Sequence, residues 1–402
     1  MAPTPKHTHK LDHISLGKIV QIRERLLKTQ AAGTKVFRFE SGDPDFSPAS
    51  SVLKAISDAA AAGKTHYIPN NGIPELRKAL AEKVVKKNKF AAVADDIFVT
   101  NGAMHALYVT FYCLLEEGDE VIVPDPMWTE VVENIRLAGG TPVPVVLKAA
   151  EDFEYSPAAI EAKITPRTKA IFLNTPHNPT GALLSKETLQ KILEIAKARN
   201  LWIVSDEAYE DVLYAPYEHH SIASMAGDSQ PDWAKKIISI FSFSKSHAMS
   251  GLRTGYIVTR DPVLQERLPK ILRCTINGVN SLAQWAALAA VQGDGSHLEM
   301  MRKEYRVRRD IQFEALQGIP GLKPFLPRGS FFTWAETTPE LYQRLGVKDA
   351  DGLSNKLAEV GMGSSPGDAF GLSCADAIRF SFSCSTQMVR EGSSVLRKIL
   401  LG

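Results

Sequence analysis

Cysteine is scarce in this chain and follows no pattern. The four cysteines, Cys113, Cys274, Cys374 and Cys384, are scattered, and no two form a C-x-x-C pair. That spacing argues against both a zinc site and a disulfide framework and fits a reducing compartment. No apolar run approaches the roughly 20 residues of a membrane span. A charge excess is missing as well: the formal net charge is +2 over 402 residues, too near neutral for a nucleic-acid surface. The opening "MAPTPKHTHK" has neither the charged-then-apolar profile of a secretory signal nor the Arg-rich character of a transit peptide. By elimination, a cytoplasmic protein that binds neither nucleic acid nor membrane is expected. The chain has no internal repeat and no low-complexity segment. No G-x-G-x-x-G or G-x-x-x-x-G-K-[ST] run follows a strand-like segment, which weighs against a plain nucleotide-binding α/β protein.

What the chain does contain is an ordinary globular balance, 44% hydrophobic and 23% charged residues, over a length that allows a large core and two domains. The first forty residues hold a helix-like stretch, "SLGKIVQIRERLLKTQAAG", and a short strand-like one, "KVFRFE". From about Asp95, strand-like runs alternate with helix-like segments. The runs are "DIFVTNG", "DEVIVPDP", "TPVPVVL", "KAIFLNTP", "LWIVSDEAY", "KKIISIFSFSK" and "RTGYIVT". This alternation predicts parallel βαβ units and a sheet covered on both faces. A long polar helix, "HLEMMRKEYRVRRDIQFEALQG", then reads as a connector. Beyond it, "FLPRGSFFTWAE", "DGLSNKLAEVG", "AIRFSFS" and a closing helix read as a smaller α+β domain. The expected division is an N-terminal segment 1–47 packing with the small domain, a large domain 48–295, and a connecting helix with the small domain 296–402.

In open α/β sheets, ligands bind beyond the carboxyl ends of the strands. Five polar segments sit at such ends here: "VTNGAM", "PDPMW", "NTPHNPTG", "SDEAY" and "SFSKSH". Together they describe one pocket. Lys245 ends the apolar run "IISIF", where a charged ammonium is costly. Alone it reads as a surface lysine. A lysine that forms a Schiff base must shed its proton near neutral pH, and desolvation promotes that. Ser242 and Ser244 offer flanking hydroxyls to a phosphate. Arg253, eight residues on, is a second phosphate partner and a charge that depresses the lysine pKa. Asp206 ends "LWIVSD" and needs a cation if buried; a pyridinium nitrogen would serve and would keep the ring an electron sink. Tyr209 and Asn178 can donate to a phenolate oxygen, although "NPTG" is also a plain turn signal. Gly102, Ala103 and Met104 lie between a strand and a helix, where backbone N–H groups can face an anion. Trp128 can lie on a flat ring or simply pack. Arg379 stands inside the apolar strand "AIRFSFS", where an arginine needs an anion such as a substrate carboxylate.

These segments, in this order, resemble the class I and II aminotransferases, which carry pyridoxal phosphate. "SGDPDF", "HYIPNNGIPELRKAL", "PMW", "NTPHNPTG", "SDEAYE", "SFSKSHAMSGLRTGY" and "IRFSFS" carry the likeness and span Ser41 to Ser383. The resemblance implies an aspartate-aminotransferase-like fold, with a mostly parallel seven-stranded sheet between helices plus a smaller α+β domain. It implies a dimer with sites at the subunit interface. Lys245 becomes the residue that binds the cofactor and then shuttles the proton. Asp206 pairs with the ring nitrogen, Tyr209 and Asn178 with the 3′-oxygen, and Trp128 stacks on the ring. Ser242, Ser244, Arg253 and the backbone of Gly102 to Met104 hold the phosphate. Tyr67 corresponds to a phosphate-binding tyrosine given by the neighbouring subunit. Arg379 holds the substrate α-carboxylate and Gly42 lines the substrate side.

The resemblance also bears on substrate choice. One aspartate aminotransferase subgroup reads the substrate's side-chain carboxylate with a lysine in the phosphate-loop segment, and the matching position here is Met104. Another uses an arginine of the partner chain, and Arg273 in "LRCTINGVNS" falls near that position. The expected reaction moves the amino group of an L-amino acid of aspartate, aromatic or neutral type to a 2-oxo acid, with 2-oxoglutarate the expected partner, by a ping-pong course. A lyase or synthase of the same fold would share every cofactor residue. Some DNA-binding regulators carry this domain behind a DNA-binding module; the roughly forty residues ahead of Ser41 are expected to hold none.

Overall fold

A computed structural model of the chain describes residues 11, 12, 14, 16–226 and 231–402. The first ten residues, read above for a targeting signal, lie outside the described residues, as does Ser15 at the head of the first helix-like stretch.

All seven strand-like runs form one sheet: β1 (Ile97–Thr100), β2 (Glu120–Asp125), β3 (Thr141–Val146), β4 (Thr168–Asn174), β5 (Trp202–Asp206), β6 (Ile237–Ser242) and β7 (Gly255–Val258). Their order is β1-β7-β6-β5-β4-β2-β3. The five strands β2 to β6 run parallel, while β7 is antiparallel to both β6 and β1. The exception has a local cause. A dozen residues without a crossover helix join β6 to β7, so the chain reverses beside β6. The inner strands read as continuous apolar runs because both faces are covered. Ile122, Ile171 and Ile203 enter one core, and their neighbours Val121, Ala170 and Val204 enter the other. β3 lies at the edge, is largely exposed and carries Pro142 and Pro144, which suit a strand with one unpaired side.

Helix Ser296–Leu316 leads from this layer to a second, four-stranded antiparallel sheet. Its strands are β8 (Leu322–Pro324), β9 (Phe332–Thr337), β10 (Ser365–Pro366) and β11 (Ala377–Ser381), in the order β10-β11-β9-β8. Helices Ala350–Glu359 and Thr386–Leu401 complete its core with Leu353, Leu357, Phe380 and Leu396. The N-terminal stretch joins this part. Helix Lys18–Ala31 packs on helix Ala350–Glu359 through Ile22, Leu26 and Ala358. "KVFRFE" is not a strand: only Phe37 forms an isolated bridge, to Met362. Arg308, 3% exposed, ties the connecting helix to Asp45 at 2.6 Å and lies over the Phe46 ring. All four cysteines are free. Among the described residues, no helix is long and apolar enough to cross a membrane.

Candidate active site

A cavity of about 310 Å³ opens at the carboxyl ends of β4, β5 and β6, under the small sheet. The sequence-predicted Gly42, Ala103, Met104, Trp128, Asn178, Asp206, Tyr209, Ser242, Ser244, Lys245, Arg253 and Arg379 all line it. Gly102 stands directly behind, against the Arg253 guanidinium.

Lys245 sits in the single turn Phe243–Ser246 that ends β6, with Ser242 as its cap; the Ser242 hydroxyl accepts the Ser244 N–H at 3.1 Å. Its Nζ donates to the Gly42 carbonyl at 2.5 Å. Enclosure by protein, helped by Arg253 and Arg379, lowers its pKa from 10.5 to about 8, against the opposing pull of Asp43 and Asp206. This is the amine that the sequence placed at the end of an apolar strand, and its lowered pKa gives it a far larger neutral fraction near pH 7 than an ordinary lysine has.

Asp206 ends β5 and is 4% exposed. One oxygen accepts the Ala208 N–H at 3.1 Å. Burial raises the carboxyl from 3.8 to about 7, because that bond and the distant Lys245 compensate only part of the desolvation, and neighbouring Glu207 adds repulsion. Tyr209 is buried with its ring edge-on to Phe331 and Phe332, and burial pushes its hydroxyl upward. It stays a neutral donor.

Arg379 enters from β11 between the rings of Phe332 and Phe370, 4.1 and 4.6 Å from its centre. Its guanidinium donates to Asn178 Oδ1 at 2.9 Å, to the Glu40 carbonyl at 3.0 Å and to Ser365 Oγ at 3.2 Å. Its buried Nε has no partner. Burial brings its pKa down to about 10, and no carboxylate ion-pairs with it among the described residues. Because Asn178 Oδ1 serves Arg379, Asn178 Nδ2 is the atom left to donate into the cavity. Asn174, one of the residues the sequence reading did not single out, fixes this corner: its Oδ1 accepts the Asn178 N–H and its Nδ2 donates to the Asp206 carbonyl.

At the other end, helix Gly102–Leu114 points its free N–H groups at the cavity. Gly102 has φ 78°, and a Cβ there would lie 2.6 Å from Arg253 Nη2. Gly255 lets β7 pass beside the same turn, since its Cβ would lie 2.8 Å from the Ala103 nitrogen. Arg253 is held by the Ser250 carbonyl at 2.8 Å in a left-handed backbone conformation, φ 52°, an arrangement that costs on the order of 1 kcal/mol.

Two predicted residues are not brought to this cavity by their own chain. Tyr67 is 89% exposed, and Arg273 is exposed near the end of helix Pro262–Thr275. Met104 does line the cavity, so the phosphate-loop position offers a thioether rather than an ammonium. Among the lining residues that the sequence reading did not single out are Glu40, Glu130 and Phe332. Glu40 and Phe332 lie within segments read only for secondary structure, while Glu130 follows Trp128 by two residues and looks like an ordinary helix-start acid.

The donor set tests what the cavity can hold. A buried carboxyl that lacks a cation, an amine near neutrality, a guanidinium with an unused buried N–H and a glycine-lined anion site behind a second arginine match the ring nitrogen, aldehyde, substrate carboxylate and phosphate of a pyridoxal-phosphate site. The relatives agree. The sequence pattern described as "Aminotransferase class I and II" matches residues 34–396. A probable aspartate/prephenate aminotransferase of Aquifex aeolicus is 35% identical over 97% of this chain and 98% of its own. An arginine–pyruvate transaminase of Pseudomonas aeruginosa is 35% identical over 92% and 91%. Aspartate aminotransferase from Thermus thermophilus with maleate superposes with a TM-score of 0.90, at 31% identity, over 98% of this chain and 100% of that one. The chain therefore belongs to the class I and II aminotransferase family and is a pyridoxal-phosphate-dependent enzyme that transfers an amino group to a 2-oxo acid.

Proposed function

We propose that the cavity residues divide the transamination among themselves as follows. Arg253, Ser242, Ser244 and the N–H groups of Gly102 to Met104 hold the cofactor phosphate. Trp128 lies against the ring, Tyr209 and Asn178 donate to its phenolic oxygen, and Asp206 stands at its nitrogen. When bound, pyridoxal phosphate supplies a carbonyl carbon for the amine and a conjugated ring that takes up the electron pair of the Cα–H bond. Lys245 Nζ, its pKa lowered by enclosure, takes the Cα proton in its neutral form and returns it one carbon away. Arg379 fixes the substrate α-carboxylate with its unused Nε–H and the remaining N–H of Nη1. The Asp206 carboxylate keeps the ring nitrogen protonated and gains there the cation it lacks.

The observation that carries this reading is the placement of Lys245 between two arginines and opposite Asp206 in one enclosed cavity. A ping-pong course follows, because donor and acceptor use the same Lys245 and Arg379 in turn. The exposure of Tyr67 and Arg273 supports a homodimer in which each chain lends both residues to its partner's site. The division at 47/48 and 295/296 is supported by the Arg308–Asp45 and Lys18–Asp351 pairs, which bind the N-terminal stretch to the C-terminal part. A cytoplasmic setting fits four unpaired cysteines. The names of the two sequence relatives span dicarboxylic and cationic donors, so family membership alone does not select one. The test is a panel of amino donors with pyruvate and 2-oxoglutarate as acceptors, each half-reaction followed at the cofactor absorbance. Donors that convert the cofactor without an acceptor, and acceptors that restore it, confirm the scheme; release of ammonia with no need of an acceptor refutes it.

A further inference from the structure

The cavity holds one carboxylate for which the scheme above has no use. Glu130, at the start of helix Thr129–Leu137, lines the wall shared with Trp128 and Met104 and is open to solvent on its outer side. Its carboxylate accepts its own backbone N–H and has no ion pair among the described residues. It lies close enough to Arg379 and Tyr209 for its charge to bear on both.

The charges of the lining residues can be assigned one by one. Arg253 meets the phosphate, Arg379 the α-carboxylate, and Lys245 is the reacting amine. Asp206 meets the ring nitrogen. Glu40 is buried and ion-paired to Arg38 Nε outside the cavity. Glu130 is the charge left over. The apolar part of the cavity lining includes Ile19 and Val20 from the first helix, Met104 and Val131. A cavity that combines apolar lining with an unpaired carboxylate complements a hydrocarbon stem that carries a cation, and it repels a second carboxylate.

We propose that Glu130 reads the far end of the amino donor's side chain and selects a cationic one, a guanidinium or ammonium on an apolar stem. This rests on the aminotransferase reading and narrows it to a substrate class. The cavity walls raise the Glu130 carboxyl above the ordinary range, as expected of a charge awaiting a partner. The plainer alternative is that Glu130 only complements the helix N-terminus. In that case its removal would weaken all ligands alike.

The experiment compares the holoenzyme with Glu130→Gln and Glu130→Asp by calorimetry. It uses unreactive carboxylates in place of donors: 5-guanidinopentanoate, pentanoate and glutarate. The wild type should bind guanidinopentanoate at least tenfold more tightly than pentanoate, as a charge-assisted pair implies, with glutarate weakest. Glu130→Gln should erase that ratio and bring glutarate level with pentanoate, while Glu130→Asp keeps part of the preference. Turnover with arginine, alanine and aspartate should shift in the same order. A ratio that Glu130→Gln leaves in place, or wild-type binding strongest for glutarate, overturns the proposal. If alanine converts the cofactor while the cationic ligand gains nothing, only this inference fails. If no amino acid converts the cofactor in the wild type, the aminotransferase scheme fails with it.

Discussion

Replacing Asp206 by asparagine isolates the electrostatic strain that burial places on this carboxyl. In the apoenzyme the Asp206 carboxyl titrates near pH 7 instead of 3.8. Between those values the folded protein keeps a proton that the unfolded chain has released, so stability falls as pH rises through the window. A difference of about 3 units corresponds to roughly 4 kcal/mol, fully expressed above pH 7. Asparagine keeps the oxygen that accepts the Ala208 N–H and removes the charge. Thermal or urea unfolding of the apoenzyme at pH 4 and pH 8 should therefore show a large loss for the wild type and a much smaller one for Asp206→Asn, which should be the more stable protein at pH 8. The same variant should bind pyridoxal phosphate less well, because the ring nitrogen loses its counter-charge. Lys245 does not blur the result: its folded pKa of about 8 lies below the ordinary 10.5, so its own contribution appears as a rise in stability between pH 8 and 10.5. An apoenzyme whose stability has the same slope from pH 4 to 7 with and without Asp206 would refute the reasoning.

Other consequences can be checked alongside. The rate at which apoenzyme captures pyridoxal phosphate should rise with an apparent pKa near 8, since only the neutral Lys245 amine attacks; a midpoint near 10.5 would mean that enclosure does not tune it. Arg379→Ala should lower kcat/KM by about 2–5 kcal/mol, several tens to several thousandfold, for every donor alike, because the α-carboxylate is common to all. Gly102→Ala should raise the dissociation constant of the cofactor by displacing the Arg253 guanidinium, with pyridoxal lacking the phosphate affected far less. Arg273→Ala should cost aspartate and glutamate far more kcat/KM than phenylalanine or alanine if the partner subunit's Arg273 serves a side-chain carboxylate; equal losses across all four reject that role.

The large sheet was legible because its strands are covered on both faces. Runs such as "EVIVPD" and "IISIFS" are apolar throughout, and the polar residue that ends each run marks the ligand side. The cavity followed from that single regularity, with Lys245, Asp206, Asn178 and the Gly102 turn all standing at strand ends. Strand direction was less legible. "GYIV" pairs as well antiparallel as parallel, and only the missing crossover helix before it tells which. "KVFRFE" alternates like a strand, yet Phe37 and Phe39 are buried by the small domain's core without a ladder to join. Glu130 was hidden for another reason: an acid in the first turn of a helix is ordinary, and only the fold turns it toward the substrate wall. Tyr67 and Arg273 are exposed on this chain, so the roles proposed for them require a second copy and are not written in local sequence.

The account stands on one covalent link, between Lys245 and the cofactor. Borohydride reduction of the purified holoenzyme, followed by digestion and mass mapping, should place a single pyridoxyl phosphate on the peptide that contains Lys245 and on no other. An adduct on a different lysine such as Lys83, or none on protein that nevertheless transaminates, would contradict it.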